Sequence, residues 1–360
     1  MSTKRASLSL IAILMGGTAM ADVPNVAVDI APVHSLVARV MDGVGEPSLI
    51  LPPGASPHEY SLRPSEAGAL QDADMVVWMG EDLAPWMEDA IDTLTTDATI
   101  LTLLEADETT LLDFREDALF EAHEHGEAHD DHADHDHDAH GHDDHAEDAH
   151  NHDEHDHDDH GHDDHAEGDA HDDHDHADHA KADGHEGHDH GAHDPHAWLS
   201  PTNATAWLDM IAAELSSADP ENAGAYFANA AAAKTEMEAL SAEVNEILAP
   251  VRGQSFVAFH DAYQYFETDF DFPASGAISL SDATDPSPAR VAEIQGRVRD
   301  EGIACVLAEP QFNAGLVNTV LDGTEANTGV IDPLGADLEP GPTLYPQLIR
   351  NMATTLADCL

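Results

Sequence analysis

Of the 28 histidines in this chain, 24 lie between His123 and His193, interleaved almost residue by residue with Asp and Glu. Runs such as His135-Asp136-His137-Asp138 and His155-Asp156-His157-Asp158-Asp159-His160-Gly161-His162 contain no apolar residue at all, and the wider stretch none larger than Ala. Imidazole suits zinc, copper and nickel, while carboxylate raises the local cation concentration and can complete a coordination sphere. Such a stretch buries too little apolar surface to offset chain entropy, so it is expected to be disordered without metal. Acids alone would make a solvated spacer. The histidines add a second purpose: auxiliary, individually weak metal binding, with His135, His137, His155, His157, His160 and His162 among the ligands.

The other four histidines are His34, His58, His196 and His260. His58 follows a strand candidate in Pro57-His58-Glu59-Tyr60. His196 precedes a helix start in Asp194-Pro195-His196-Ala197-Trp198-Leu199. His260 follows the strand candidate 255–259 in Phe259-His260-Asp261-Ala262-Tyr263. In open α/β sheets, ligands bind at the carboxyl ends of strands. Three neutral imidazoles converging there would leave one position open in a tetrahedral zinc site. A single histidine in a turn is usually polar surface, but three at element ends beside a histidine-rich insert point to a metal site. His34 starts an apolar helical run and is read as structural.

The elements that must position these residues alternate between short apolar strands and helical patterns, which is the signature of an α/β fold. Strands are expected at 26–30, 47–51, 75–79 and 100–103 in the first half, and at 255–259, 303–308 and 329–331 in the second. Helices are expected at 35–41, from an N-cap at Ser65 toward 71, after the cap-and-proline pair Ser200-Pro201, and at 289–300, 315–321 and 344–358. Residues 222–248 form the longest helical pattern, with Met237, Leu240, Val244, Ile247 and Leu248 at 3.6-residue spacing. The expected architecture is two α/β lobes joined by one long rigid helix. The expected boundaries are a signal peptide at 1–21, a first lobe at 22–219 carrying the insert at 121–193, a linker helix at 220–249 and a second lobe at 250–360.

The formal charge of −61 divides unevenly. Residues 121–195 hold 29 acids and one Lys, hence −28, and the remainder carries −33. Nucleic acid and anionic membrane need basic patches, so neither is an expected partner. Lys4 and Arg5, the apolar run from Leu8 to Met15 and the small-residue triplet Ala19-Met20-Ala21 form a secretory signal, with cleavage expected after Ala21. The apolar run is shorter than the ~20 residues of a membrane span. The two cysteines, Cys305 and Cys359, are an even count in an exported chain, which points to a disulfide, although two free thiols remain the alternative. A bridge would close a loop of about 55 residues, worth about 4 kcal/mol in the chain-entropy model.

Several local words resemble a known family. Residues 51–65, Leu-Pro-Pro-Gly-Ala-Ser-Pro-His-Glu-Tyr-Ser-Leu-Arg-Pro-Ser, resemble the first ligand loop of the periplasmic zinc-binding proteins of ABC importers, the ZnuA type. So do His196-Ala197-Trp198-Leu199-Ser200-Pro201, Phe259-His260-Asp261-Ala262-Tyr263, Ala308-Glu309-Pro310-Gln311-Phe312 and Asp332-Pro333-Leu334-Gly335, in order along the mature chain. The resemblance implies two α/β lobes around a metal cleft, metal-ligand roles for His58, His196 and His260, and a Cys305–Cys359 bridge. Related manganese binders tend to carry a carboxylate in the third histidine's place, so His260 favours zinc over the harder ion. For the fourth position Asp332 matches an acidic ligand of several relatives, while water often fills that place in zinc-type members. Some relatives have an acid just before the first histidine, where this chain has Pro57. Glu59 ranks below Asp332, and Glu309 is at least as well explained as a buried structural acid.

The function expected from these readings is high-affinity capture of Zn²⁺ in the periplasm by a monomer, with delivery to the permease of an ABC importer and no bond cleavage. A zinc hydrolase would also use three histidines and an open position. The chain has no His-Glu-x-x-His and no other local enzyme signature. The alternative is an extracytoplasmic zinc buffer acting mainly through the histidine-rich tract, for which two folded lobes with three separate histidine turns are unnecessary.

Overall fold

The computed structural model describes residues 23–115, 120, 193–279, 286–312 and 314–360. The expected signal peptide lies outside the described residues. So does the expected insert apart from His193, and with it His135, His137, His155, His157, His160 and His162.

The first half runs β1 (Val26–Val28), α1 (Ala31–Val40), β2 (Ser48–Leu49), α2 (Pro64–Gln71), β3 (Met75–Trp78), α3 (Pro85–Leu94) and β4 (Thr99–Thr102). After the tract come a 3₁₀ turn (Ala197–Leu199), α4 (Pro201–Ala218) and the long α5 (Ala223–Leu248). The second half runs β5 (Phe256–His260), α6 (Gln264–Phe270), β6 (Gly276–Ser279), α7 (Pro288–Asp300), β7 (Cys305–Ala308), α8 (Ala314–Leu321), β8 (Asn327–Val330) and α9 (Leu344–Cys359).

Each half builds one four-stranded parallel sheet, ordered β2-β1-β3-β4 in the first and β6-β5-β7-β8 in the second. The two orders are the same pattern used twice. In each, the strand order reverses at the central pair, β1/β3 or β5/β7, and the crevice beyond the carboxyl ends of such a pair is where doubly wound sheets bind ligands.

Period-2 alternation assigns the faces. On β1 and β3, Val26, Val28, Met75 and Val77 enter a central core, while Ala27, Val76 and Trp78 join a smaller outer cluster with Leu70, Met87 and Ile91. On β5 and β7, Phe256, Ala258, Cys305 and Leu307 enter the same central core, while Val257, Phe259, Val306 and Ala308 pack outward with Ile294 and Val320. One apolar core therefore runs through both lobes.

α5 crosses that core. Tyr226, Ala230, Ala233, Met237, Leu240, Val244 and Leu248 are buried along it at spacings of three and four residues. At 1.5 Å per residue its 26 residues span about 39 Å. It packs against α1 and α4 from the first half and α6 and α9 from the second. Arg39 of α1 pairs with Glu236, and Arg350 of α9 pairs with Glu243. No helix among the described residues is long and apolar enough to cross a membrane.

Three local readings change. Ser65 lies inside α2, whose N-cap is Arg63; Pro64 takes the first helical position and Glu66 accepts from the Arg63 N–H at 2.7 Å. Strand β5 extends through His260 instead of stopping before it. Helix α3 and strand β6 have no counterpart in the sequence reading: α3 buries only Met87 and Ile91 along an acidic helix, and β6 is a short Gly-Ala-Ile-Ser run.

Candidate metal centre

His260 is the last residue of β5, two positions beyond Ala258 and four beyond Phe256, so alternation puts its side chain on the face that carries the central core. Its ring Nδ1 lies 2.7 Å from Glu309 Oε1, and its backbone N–H donates to the same oxygen at 3.3 Å. Glu309 directly follows β7, the neighbour of β5, so the pair stands at the reversal point of the second sheet. Both side chains are buried.

His196 is set by its own segment. Asp194 Oδ1 accepts from the His196 backbone N–H at 2.9 Å and from ring Nδ1 at 2.6 Å. Downstream, Trp198 is buried and its indole N–H donates to Pro333 O at 2.8 Å, which ties this segment to the second lobe. Ser200 then caps α4 by accepting from Asn203 N, as the Ser-Pro pair predicts. Burial pushes the Asp194 carboxyl up to about 7, against the opposing pull of the His196 N–H and of nearby Arg115.

His58 lies in the loop between β2 and α2. Gly54 takes a φ of +82°, the left-handed conformation that suits glycine, as the loop turns. The Trp86 indole N–H, at the start of α3, donates to Pro57 O at 2.6 Å and so pins the backbone next to His58. Tyr60 packs edge-on against Trp86 and donates to Glu66.

These elements bring the three histidines together around one small cavity. Its lining includes His58, His196, His260, Glu309, Gln311 and Phe312, and its volume is about 20 Å³, room for one water-sized occupant. The rings of His58 and His196 have centroids 5.4 Å apart, and those of His196 and His260 are 5.2 Å apart. The Nε2 atoms of His196 and His260 are separated by 3.4 Å. Two nitrogens bound to zinc at ~2.0–2.1 Å with a tetrahedral angle lie about 3.4 Å apart. With Nδ1–H donated to a carboxylate on both rings, the arrangement that fixes tautomer and raises basicity in histidine metal ligands, Nε2 is the nitrogen of each that could hold an ion. Two buried carboxylates behind two imidazoles also make the space between them attractive to a cation. Among the described residues no three side chains of His, Cys, Asp or Glu are already gathered closely enough to hold an ion. The His196–His260 pair is at the spacing of two zinc ligands, and His58 lines the same cavity.

Asp332 is placed apart from this cavity. Its Oδ1 accepts from Leu334 N and from Gln311 Nε2, both at 3.0 Å, and its Oδ2 accepts from Ala336 N at 2.6 Å. It lines a separate cavity with Pro310, Val330 and Leu348, while Gln311 and Leu334, which both donate to it, line the histidine cavity. Glu59 is exposed and does not line the histidine cavity. His34 is buried in α1 with Nε2 3.1 Å from Pro47 O, a structural place. Cys305 and Cys359 form a disulfide that joins β7 to α9.

The sequence reading left out Asp194, although an acid two residues before a histidine is the available signal. It also left out Trp86 and Arg115, whose partners are distant in sequence.

A sequence model of the family described as "Zinc-uptake complex component A periplasmic" (ZnuA) matches residues 26–359. The chain belongs to this family. The high-affinity zinc uptake system protein ZnuA of Brucella abortus (strain 2308) is 42% identical over 336 residues, covering 93% of this chain and 91% of that protein. The protein of the same description from Paracoccus denitrificans (strain Pd 1222) is 40% identical over 360 residues, covering 99% and 98%. A crystal structure of ZnuA superposes with a TM-score of 0.65 at 19% identity, covering 94% of this chain and 99% of that one. That last likeness supports the two-lobed fold.

Proposed function

We propose that this protein captures Zn²⁺ with high affinity in the periplasm and delivers it to the permease of an ABC-type zinc importer. The observation that carries the reading is the His196–His260 pair, with Nε2 atoms 3.4 Å apart and each Nδ1 held by a buried carboxylate. His58 supplies the third nitrogen from its pinned loop. Water takes the fourth position, with Asp332 as the second candidate, since Asp332 must give up hydrogen bonds to reach an ion. Family membership supports uptake over storage or hydrolysis, and the ion-sized cavity fits coordination and release. We assign the signal peptide to 1–21 with cleavage after Ala21, the lobes to 22–219 and 250–360, and the connecting helix to 220–249. The protein acts as a monomer without nucleic acid.

Calorimetric zinc titration of the full chain and of a chain lacking residues 121–193 tests the reading. One tight site is expected in both, abolished by combining His58→Ala, His196→Ala and His260→Ala. Weaker additional sites are expected only in the full chain. A shortened chain that binds zinc no better than a generic acidic surface overturns the three-histidine site and leaves the buffer function of the tract.

A further inference from the structure

The 3.4 Å spacing between His196 and His260 joins segments from different halves of the chain, so something must hold them in register. Arg115 occupies that place. It comes from the first half, six residues before the histidine-rich tract begins at 121. Its guanidinium meets two buried acids of the second lobe. Nε contacts both oxygens of Asp261 at 3.0 Å, and Nη2 adds a close bond to Oδ1 of the same carboxylate. Nη1 donates to Glu267 Oε2 at 2.8 Å and Nη2 to Glu267 Oε1 at 3.0 Å. The Phe120 ring covers the guanidinium, with its centroid 3.5 Å from Cζ.

Both acids lie close to His260 along the chain. Asp261 is the next residue, at the end of β5, and Glu267 lies on α6, where its Oε2 also accepts from Ala274 N. The chain leading to Arg115 is stitched to the His196 segment. Asp194 N donates to Leu112 O at 2.8 Å, and the Tyr265 hydroxyl donates to Asp194 O at 2.7 Å while accepting from Leu112 N at 3.1 Å. One cation therefore ties the segment that carries His196 to the strand end that carries His260. A forked, planar guanidinium can bind two carboxylates in fixed directions at once, and an ammonium cannot. The chain has only 12 Lys and Arg against 73 Asp and Glu, and Arg115 is the sole one between Arg63 and Lys181.

We infer that Arg115 is a positioning residue for zinc binding: it holds Asp261 and Glu267 so that His260 faces His196 at zinc-ligand spacing. This rests on the reading that His196 and His260 bind zinc. Without the fork, the turn after β5 loses its tether, and the two imidazoles no longer meet at a fixed distance. Residues that orient metal ligands typically change metal affinity by roughly 10- to 100-fold when removed.

The test uses the full chain and zinc competition against chelators of graded affinity, so that the tight site is read apart from weak ones. Arg115→Gln is expected to weaken the tight site by about 10- to 100-fold, and Arg115→Lys to recover only part of the loss. The same substitution is then made in His260→Ala and His58→Ala backgrounds. Because Arg115 acts through His260, its effect should shrink to less than about threefold once His260 is gone, and persist when His58 is gone; coupling of this kind is the mark of contact between two residues. If Arg115→Gln does not fold, Arg115→Lys decides alone, with weaker zinc binding supporting the inference. Binding like that of the unaltered chain in every Arg115 variant overturns it, and so does an equal loss with and without His260, which is general loosening. No tight zinc in the unaltered chain, or no effect of His260→Ala, overturns the underlying site instead.

Discussion

Glu309 binds His260 through one oxygen that accepts both the ring Nδ1–H at 2.7 Å and the backbone N–H at 3.3 Å. Asp194 treats His196 in the same way, at 2.6 and 2.9 Å. The sequence separations are 49 and 2 residues, so the same local solution is reached by a sheet neighbour in one case and by a turn in the other. In both, the ring cannot rotate without breaking a charge-assisted bond, and Nε2 is committed to the cavity.

Replacing either acid by its amide tests this pairing. Glu309→Gln and Asp194→Asn remove a negative charge and one orientation constraint while keeping size. Each is expected to weaken zinc by roughly 10- to 100-fold. The zinc-free protein should hold its stability or gain some, because a buried charge has been removed. Competition titration and denaturant unfolding of the same samples check both statements; unchanged zinc affinity in both variants removes the orienting role.

Asp332 and His260 should part company when mutated. His260→Ala removes a proposed ligand and should weaken the tight zinc site far more than Asp332→Ala. The Asp332 carboxylate instead satisfies Gln311, Leu334 N and Ala336 N, so its loss leaves donors unpaired at about 1–3 kcal/mol of stability. Calorimetry for zinc and unfolding for stability separate the two. A greater loss of zinc affinity in Asp332→Ala than in His260→Ala would make the carboxylate a ligand and reverse the ranking.

Asp29 gives the zinc-free fold a pH dependence that does not involve the site. It sits just after β1, at the reversal point of the first sheet, fully buried, and accepts from Ile30 N and Met79 N at 2.7 Å each. Burial outweighs those bonds and pushes its carboxyl up to about 7 from 3.8. The folded state thus keeps a proton that the unfolded state releases. Its contribution is complete below about 3.8 and is lost as pH rises through about 7. Asp29→Asn stays neutral throughout and should lose this trend, at a pH-independent cost because its NH₂ cannot accept from one of the two N–H groups. Relative to the variant, the unaltered protein should weaken by up to about 4 kcal/mol between pH 4 and pH 7. Parallel unfolding curves at both pH values argue for a carboxylate that is already ionised.

Much of this was legible in the sequence because it is local. The strands at 75–79 and 255–259, the Ser200-Pro201 helix start and the long 222–248 pattern each carry their own signal, and they appear within a few residues as β3, β5, α4 and α5. His196 and His260 could be singled out because they stand at element ends, and His58 because it lies in a turn-rich loop between a strand and a helix. What was not legible is contact across the sequence. That Glu309 meets His260 depends on β7 lying beside β5, and that Arg115 meets Asp261 spans 146 residues. Asp332 was legible as a candidate through its match to an acidic ligand of several relatives, whereas the bonds its oxygens accept from Leu334 N, Ala336 N and Gln311 Nε2 were not legible. Strand β6 escaped notice because a Gly-Ala-Ile-Ser segment draws its stability from the β5 edge it pairs with, not from its own propensity.

The Cys305–Cys359 bridge should govern stability and spare the site. It joins the first residue of β7 to the last residue of α9, 54 positions apart, and so closes the second lobe behind its sheet. Loss of a loop of this size releases chain entropy in the unfolded state worth about 4 kcal/mol. Glu309, however, follows the opposite end of β7, and that strand stays paired with β5 through Phe256–Cys305 and Val257–Val306. The Glu309–His260 contact should therefore survive reduction wherever the protein remains folded. Cys305→Ser combined with Cys359→Ser is expected to unfold at markedly lower denaturant, with zinc affinity changed by less than about threefold, since it touches neither ligand nor orienting acid. The tight site exists only in the folded state, whereas the tract binds weakly in either state, so zinc at 100 times the dissociation constant of the tight site should restore about 2.7 kcal/mol. Unfolding curves with and without zinc, alongside competition titration, check all three quantities. Zinc affinity that falls in step with stability would show that β7 transmits the strain of the lost bridge to Glu309, and that the sheet does not isolate the two.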